Sequence, residues 1–156
     1  MLKKLGRVNR TRVAEDGVPP GQFVTEKFPV LTFGSAPNVD PSEWRMRVSG
    51  LVQAETTMDW DEFTDLGRVT LDAEFHCVTQ WSRLVNTWEG VPIRAVLDAV
   101  RPLPEARYVM VHGYGGYSTN ISLDVLDDDD VLFAYRHDGQ QLPREHGGPL
   151  RLVIGL

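Results

Sequence analysis

The chain has a single cysteine, Cys77, in 156 residues, so it closes no internal disulfide and carries no mark of an oxidising compartment. Lysine is scarce: Lys3, Lys4 and Lys27 are the only ones among 16 basic residues, against 22 acidic ones. The net charge of −6 excludes nucleic acid as the main partner, because phosphate binding needs a basic face. No uninterrupted apolar run approaches the ~20 residues needed to span a bilayer. Lys3, Lys4 and Arg7 imitate the basic start of an export signal, but no apolar stretch follows, and the expectation is a cytoplasmic protein. What remains is ordinary: hydrophobic and charged fractions of 42% and 24% suit one soluble domain with a substantial core.

Several common chemistries are missing too. The glycine-rich run from His112 to Asn120 lacks the lysine and helix context of a phosphate loop, and its spacing is not a dinucleotide fingerprint. It reads as a hairpin whose glycines permit tight turns. Asp127-Asp128-Asp129-Asp130 lacks the glycine and terminal glutamate of a calcium loop, and consecutive aspartates cannot all face one ion, so a solvated loop is expected. Cys77 with His76 and His112 fits zinc-ligand spacing poorly. No nucleophile-elbow spacing supports serine hydrolase chemistry.

The elements present are strands with short helices between them. Residues 1–20 read as a mobile polar arm ending at Pro19-Pro20-Gly21, and residues 21–156 as the domain. Gln22 to Thr32, interrupted by Pro29, reads as an extended segment laid over that domain. Trp44, Met46 and Val48 alternate with polar residues, giving a strand stopped by Gly50. Asp59 and Glu62 have capping-box spacing for a helix to Leu66, with Trp60 and Phe63 as core contacts. Ile93, Val96, Leu97 and Val100 recur at helical spacing after Pro92. Arg107 to Val111 is apolar on both faces and predicts a central strand. Ser122 to Leu126 predicts one helical turn with a serine cap, and Val131 to Tyr135 a strand followed by an Asp138-Gly139 turn.

Val69, Leu71, Ala73 and Phe75 alternate with polar residues, the pattern of a half-buried strand that delivers Cys77 to its end. A thiol there, beside His76 and Arg83, is better placed to react than one in mid-core, since positive charge favours the thiolate. Read alone, an isolated cysteine is more often a small buried hydrophobe than a functional group.

The run Phe75-His76-Cys77-Val78-Thr79-Gln80-Trp81-Ser82, with Trp88-Glu89-Gly90-Val91-Pro92 after it, resembles the signature of the sulfite-oxidase-type molybdopterin oxidoreductases. Glu145-His146-Gly147-Gly148-Pro149-Leu150-Arg151 resembles the second signature of that family. The resemblance implies an α+β fold, a mixed and β-rich sheet domain with short flanking helices. It implies a molybdopterin cofactor, Cys77 as the metal ligand, and His146 and Arg151 on the pterin and its terminal phosphate. Lys27 and Thr25, on the extended segment, and His112, Tyr114, Tyr117 and Asn120, on the glycine-rich loop, become candidate pterin or substrate contacts. Arg83 becomes a candidate for lining the catalytic pocket. The implied activity is oxygen-atom transfer on a small substrate, a sulfur oxyanion or sulfoxide among the choices, with an electron partner left open. The family domain continues beyond the arginine-bearing strand, so the resemblance implies that a C-terminal part is missing here. A scaffold that keeps the fold without the cofactor is the alternative.

Overall fold

The structure is a computed structural model that describes residues 18–32 and 34–155. Of the expected arm, residues 1–17 lie outside the described part, and Val18 is already buried. The first strand, β1 (Phe23–Val24), is followed by β2 (Met46–Val48) and β3 (Thr56–Met58), which pair antiparallel, then by helix α1 (Trp60–Thr64). Asp59 accepts from the Glu62 amide while the Glu62 side chain accepts from the Asp59 amide, so the capping box forms as its spacing requires. Phe63 is fully buried and Trp60 packs beside it.

The strand expected to run from Val69 through Phe75 is two strands in two sheets. β4 (Val69–Asp72) ends where the Ala73 amide turns to the carbonyl of Asn86, and β5 (Phe75–His76) starts afresh. β5 pairs with β6 (Trp81–Arg83), and β6 pairs in parallel with β1, giving a three-stranded sheet. β4 pairs instead with β7 (Thr87–Pro92), which leads directly into helix α2 (Ile93–Val100). α2 ends on Arg101 in the left-handed conformation, with its amide on the Leu97 carbonyl.

β8 (Tyr108–His112) and β9 (Ser118–Ser122) form a separate two-stranded hairpin, followed by the short helix α3 (Leu123–Leu126). β8 is therefore not the central strand its composition predicts. Among the described residues it pairs with β9 alone, Val109 packs inward, and Tyr108 and Met110 stand 72% and 56% exposed on the other face. The Ser122 side chain makes no capping hydrogen bond. The acidic loop is more than solvated: Arg94 donates to Asp127 at 3.0 Å and to Asp129, tying it to α2.

β10 (Val131–His137) turns through Asp138 and Gly139, both at positive φ, into β11 (Gln140–Gln141). A 3-10 turn over Arg144–His146 then leads to β12 (Arg151–Ile154). The five-stranded antiparallel sheet runs β11-β10-β7-β4, with β12 against β10 beside β11. Both faces are covered. Trp44, Met58, Phe63, Val91 and Val96 fill one with help from α1 and α2. Trp88, Leu132, Ala134, Leu142 and Val153 fill the other, closed by Phe28 and Phe75. That second face carries the site. No helix among the described residues is long and apolar enough to cross a membrane.

Candidate active site

Phe28, at the end of the segment that begins with β1, is the hub. Its ring stacks on His146 at 4.3 Å with 5° between planes and meets Phe75, Trp81 and Trp88 edge-on at 5.2, 5.8 and 6.0 Å. Phe75 stacks on Trp81 at 5.3 Å. The Arg151 guanidinium lies over this group, 5.4 to 5.9 Å from the centroids of Trp88, Phe75 and Phe28. Its one hydrogen-bond acceptor among the described residues is the His146 carbonyl, at 3.0 Å. Among the described residues it has no carboxylate partner, and burial lowers its pKa. Such a cation is held without its counter-charge. The indole Nε1 of Trp81 is likewise buried with no acceptor.

Cys77 follows β5 on a turn, half-buried, with its amide on the Trp81 carbonyl at 2.9 Å. The aromatic layer of Phe75 and Trp81 thus runs from the cysteine turn to His146 and Arg151, joining two signatures far apart in the chain. The loop bearing His146 and Arg151 is tightly constrained, since a Cβ on Gly148 would stand 2.0 Å from the Leu142 carbonyl oxygen.

Arg83 does not join Cys77. It turns to the opposite end of β10, donating from Nε to the Glu26 carbonyl at 3.0 Å, and to Asn86 Oδ1 and Asp138 Oδ2 at 2.6 Å each. With its donors satisfied and its charge paired, Arg83 clamps the β1 segment to the β10–β11 turn. Burial would raise the Asp138 carboxyl, but the Thr87 amide and Arg83 outweigh it and hold it below the usual carboxylate range. His112 ends β8 opposite Ser118, on a hairpin fastened by Tyr114, whose hydroxyl accepts from the Arg45 amide and donates to the Arg45 carbonyl. The contacts that gather Cys77, His146 and Arg151 do not reach His112. Lys27 is exposed beside Phe28, with its amide on the Thr25 hydroxyl.

Sequence reasoning passes over Phe28, Asn86 and His137. Asn86 is buried, and its amide bonds the carbonyls of Ala73 and Arg83. His137 packs on Trp88 at 4.2 Å. Only its place before an Asp-Gly turn marked it, and that turn sets its pairing with Gln140 on β11, whereas its place opposite Trp88 comes from the β10–β7 pairing. Phe28 and Asn86 had no local signal.

Burial lowers the pKa of both histidines; Arg151 adds to this at His146, and Asp138 opposes it at His137, where Arg83 reinforces it. Both rings take up a proton less readily in the folded protein than when unfolded. Their contribution is present above the ordinary value of 6.5 and lost as pH falls through the lowered folded values. Cofactor-free protein is therefore expected to lose denaturant stability as pH drops below about 6.5, and His137→Asn with His146→Gln to flatten that slope. Urea melts across this range check it.

A family model described as the oxidoreductase molybdopterin binding domain matches residues 33–155. The uncharacterized oxidoreductase YuiH of Bacillus subtilis is 39% identical over 138 residues, covering 88% of this chain and 70% of that one. The catalytic subunit MsrP of a protein-methionine-sulfoxide reductase from Ralstonia nicotianae is 26% identical over 149 residues, covering 85% of this chain and 44% of its own length. In the crystal structure of the sulfane dehydrogenase SoxCD from Paracoccus pantotrophus, the fold recurs with a TM-score of 0.72 at 21% identity, over 80% of this chain and 37% of that one.

Proposed function

This chain belongs to the oxidoreductase molybdopterin-binding domain family, and from that premise we propose that it transfers an oxygen atom to or from a small sulfoxide-type substrate. In this reading Cys77 is the protein's ligand to molybdenum, and His146 and Arg151 hold the pterin and its phosphate. The observation that carries it is Arg151, a half-buried guanidinium set among three rings with no carboxylate partner among the described residues. A phosphate supplies the missing charge and suits the planar fork of donors. The Trp81 N–H in the same aromatic layer is also buried without an acceptor. The half-buried Cys77 supplies the soft thiolate that molybdenum accepts.

When bound, molybdopterin supplies the redox centre for the transfer of the oxygen atom. The chain's own work is to hold and orient. Phe28 fixes the His146 ring by stacking, His146 fixes Arg151 through its carbonyl, and the cysteine turn sets the sulfur. An anionic substrate would call for converging free arginines, whereas Arg83 is neutralised by Asp138 at 2.6 Å. A neutral sulfoxide fits this arrangement better than sulfite. The methionine sulfoxide named for MsrP is of that type.

The test is elemental analysis of protein made in a host that synthesises the pterin, beside Cys77→Ser. Expected are molybdenum in proportion to the parent chain, sulfoxide reduction with an artificial donor, and loss of that activity in the serine variant. A parent without molybdenum and with freely alkylated Cys77 would instead support the cofactor-free scaffold.

A further inference from the structure

The turn that carries Cys77 is pinned from outside. Its Gln80 amide donates to the Cys77 carbonyl at 3.0 Å, with Gln80 held at a φ of 70°. The same carbonyl accepts from Gln22 Nε2 at 3.1 Å, and the other end of that amide, Oε1, accepts from the Ser82 hydroxyl at 2.5 Å. Ser82 is fully buried, and the Phe23 amide closes on the Gln80 carbonyl at 3.0 Å. One glutamine from the β1 segment thus locks both flanks of the turn.

Inside the locked turn the Thr79 hydroxyl lies 3.1 Å from Cys77 Sγ. While the sulfur keeps its proton, either atom can donate. A sulfur bonded to metal has none, so the contact then runs one way, from the threonine O–H to the sulfur. Threonine is stiff at χ1, which favours retaining the contact although the side chain is exposed. Hydrogen bonds to a ligand sulfur withdraw electron density from the metal, the lever by which proteins raise the potentials of sulfur-bound centres.

Building on the assignment of Cys77 as the molybdenum ligand, we propose that Thr79 is a positioning residue whose hydroxyl donates to the Cys77 sulfur and raises the reduction potential of the bound metal. Nothing else in the mechanism uses this hydroxyl, and Val78 beside it, 94% exposed, leaves the outer side of the turn open. Thr79→Val keeps the shape and the stiff rotamer and removes only the donor. Thr79→Ser keeps the donor.

An EPR-monitored redox titration of molybdenum-loaded parent, Thr79→Val and Thr79→Ser reads the effect directly. The valine variant is expected at a lower midpoint potential, with thermal stability matching the parent, and the serine variant close to the parent. Gln22→Leu is expected to shift the potential in the same direction by less, and to speed hydrogen exchange at the Gln80 amide in cofactor-free protein. A loaded Thr79→Val at the parent's potential overturns the assignment of Thr79 while leaving Cys77 as ligand. A parent that binds no molybdenum overturns both, and the two failures are told apart by the parent's metal content.

Discussion

Gly90→Ala is expected to leave the chain unable to fold. Gly90 lies on β7, the strand between β4 and β10, directly opposite Ala134. A Cβ built there would stand 2.0 Å from the Phe133 carbonyl oxygen and 2.7 Å from the Ala134 Cα. Both obstacles are backbone of the neighbouring strand, so no side chain can swing aside. The neighbouring strand is also committed on its far edge, through the pairing of Phe133 with Leu152 and Ala134 with Arg151. Relief would require β7 and β10 to part where Val91 and Ala134 are fully buried. Ordinary overpacking costs about 1–3 kcal/mol. Parting a central ladder adds unpaired backbone groups and exceeds about 4 kcal/mol, a large part of the ~5–15 kcal/mol available to a domain. Soluble yield and far-UV circular dichroism read the outcome, with Gly50→Ala as the comparison. At Gly50 a Cβ meets nothing within 4 Å, and the φ of 99° alone sets the penalty, about 1–2 kcal/mol. A Gly90→Ala protein melting with the parent would show that the strands are spaced more widely than this structure has them.

Gly90 also shows what the sequence could and could not convey. The Trp88 to Pro92 run was legible as part of a signature, but the reason for its glycine lies more than forty residues on, in the backbone of β10. Features written within a few residues were readable: the Asp59 and Glu62 box, the apolar stripe of α2, the Asp138-Gly139 turn. Each depends on local hydrogen bonding or periodicity. Features set by pairing were not. Tyr108 and Met110 have strand character, yet nothing in their residues says that β8 finds one partner rather than two. The alternation from Val69 to Phe75 is continuous, yet Ala73 leaves the ladder for Asn86. Arg83 stands close to the cysteine in sequence and far from it in purpose, because Asp138 outbids the pocket for its charge. Cys77, His146 and Arg151 were nameable through resemblance alone. The ring that binds them into one site, Phe28, belongs to neither signature.

Arg151→Met is expected to move stability and cofactor binding in opposite directions. In the cofactor-free chain Arg151 holds a charge among Phe28, Phe75 and Trp88 with one carbonyl for its donors. The rings return some attraction, up to about 2 kcal/mol where a cation is desolvated. They satisfy none of the N–H groups, and even a half-buried unpaired ion pays a desolvation cost larger than this attraction, so desolvation wins. Methionine fills similar space, contacts aromatic rings favourably and needs no partner. The unloaded variant should therefore gain about 1–2 kcal/mol, a rise of several degrees in melting temperature for a chain of this size. Its His146 should also protonate more easily, since Arg151 is one of the groups that hold that imidazole low. Loading should fail in the same variant, because the phosphate loses a charged bidentate donor worth about 3 kcal/mol, roughly a hundred-fold in affinity. Calorimetry of unloaded protein and metal content after expression with the pterin give the two halves separately. A variant that is less stable and also fails to load would mean that the rings alone sustain the arginine and that its role is to hold the fold. Only the crossed result, a firmer protein that no longer keeps its cofactor, marks a charge maintained for a ligand.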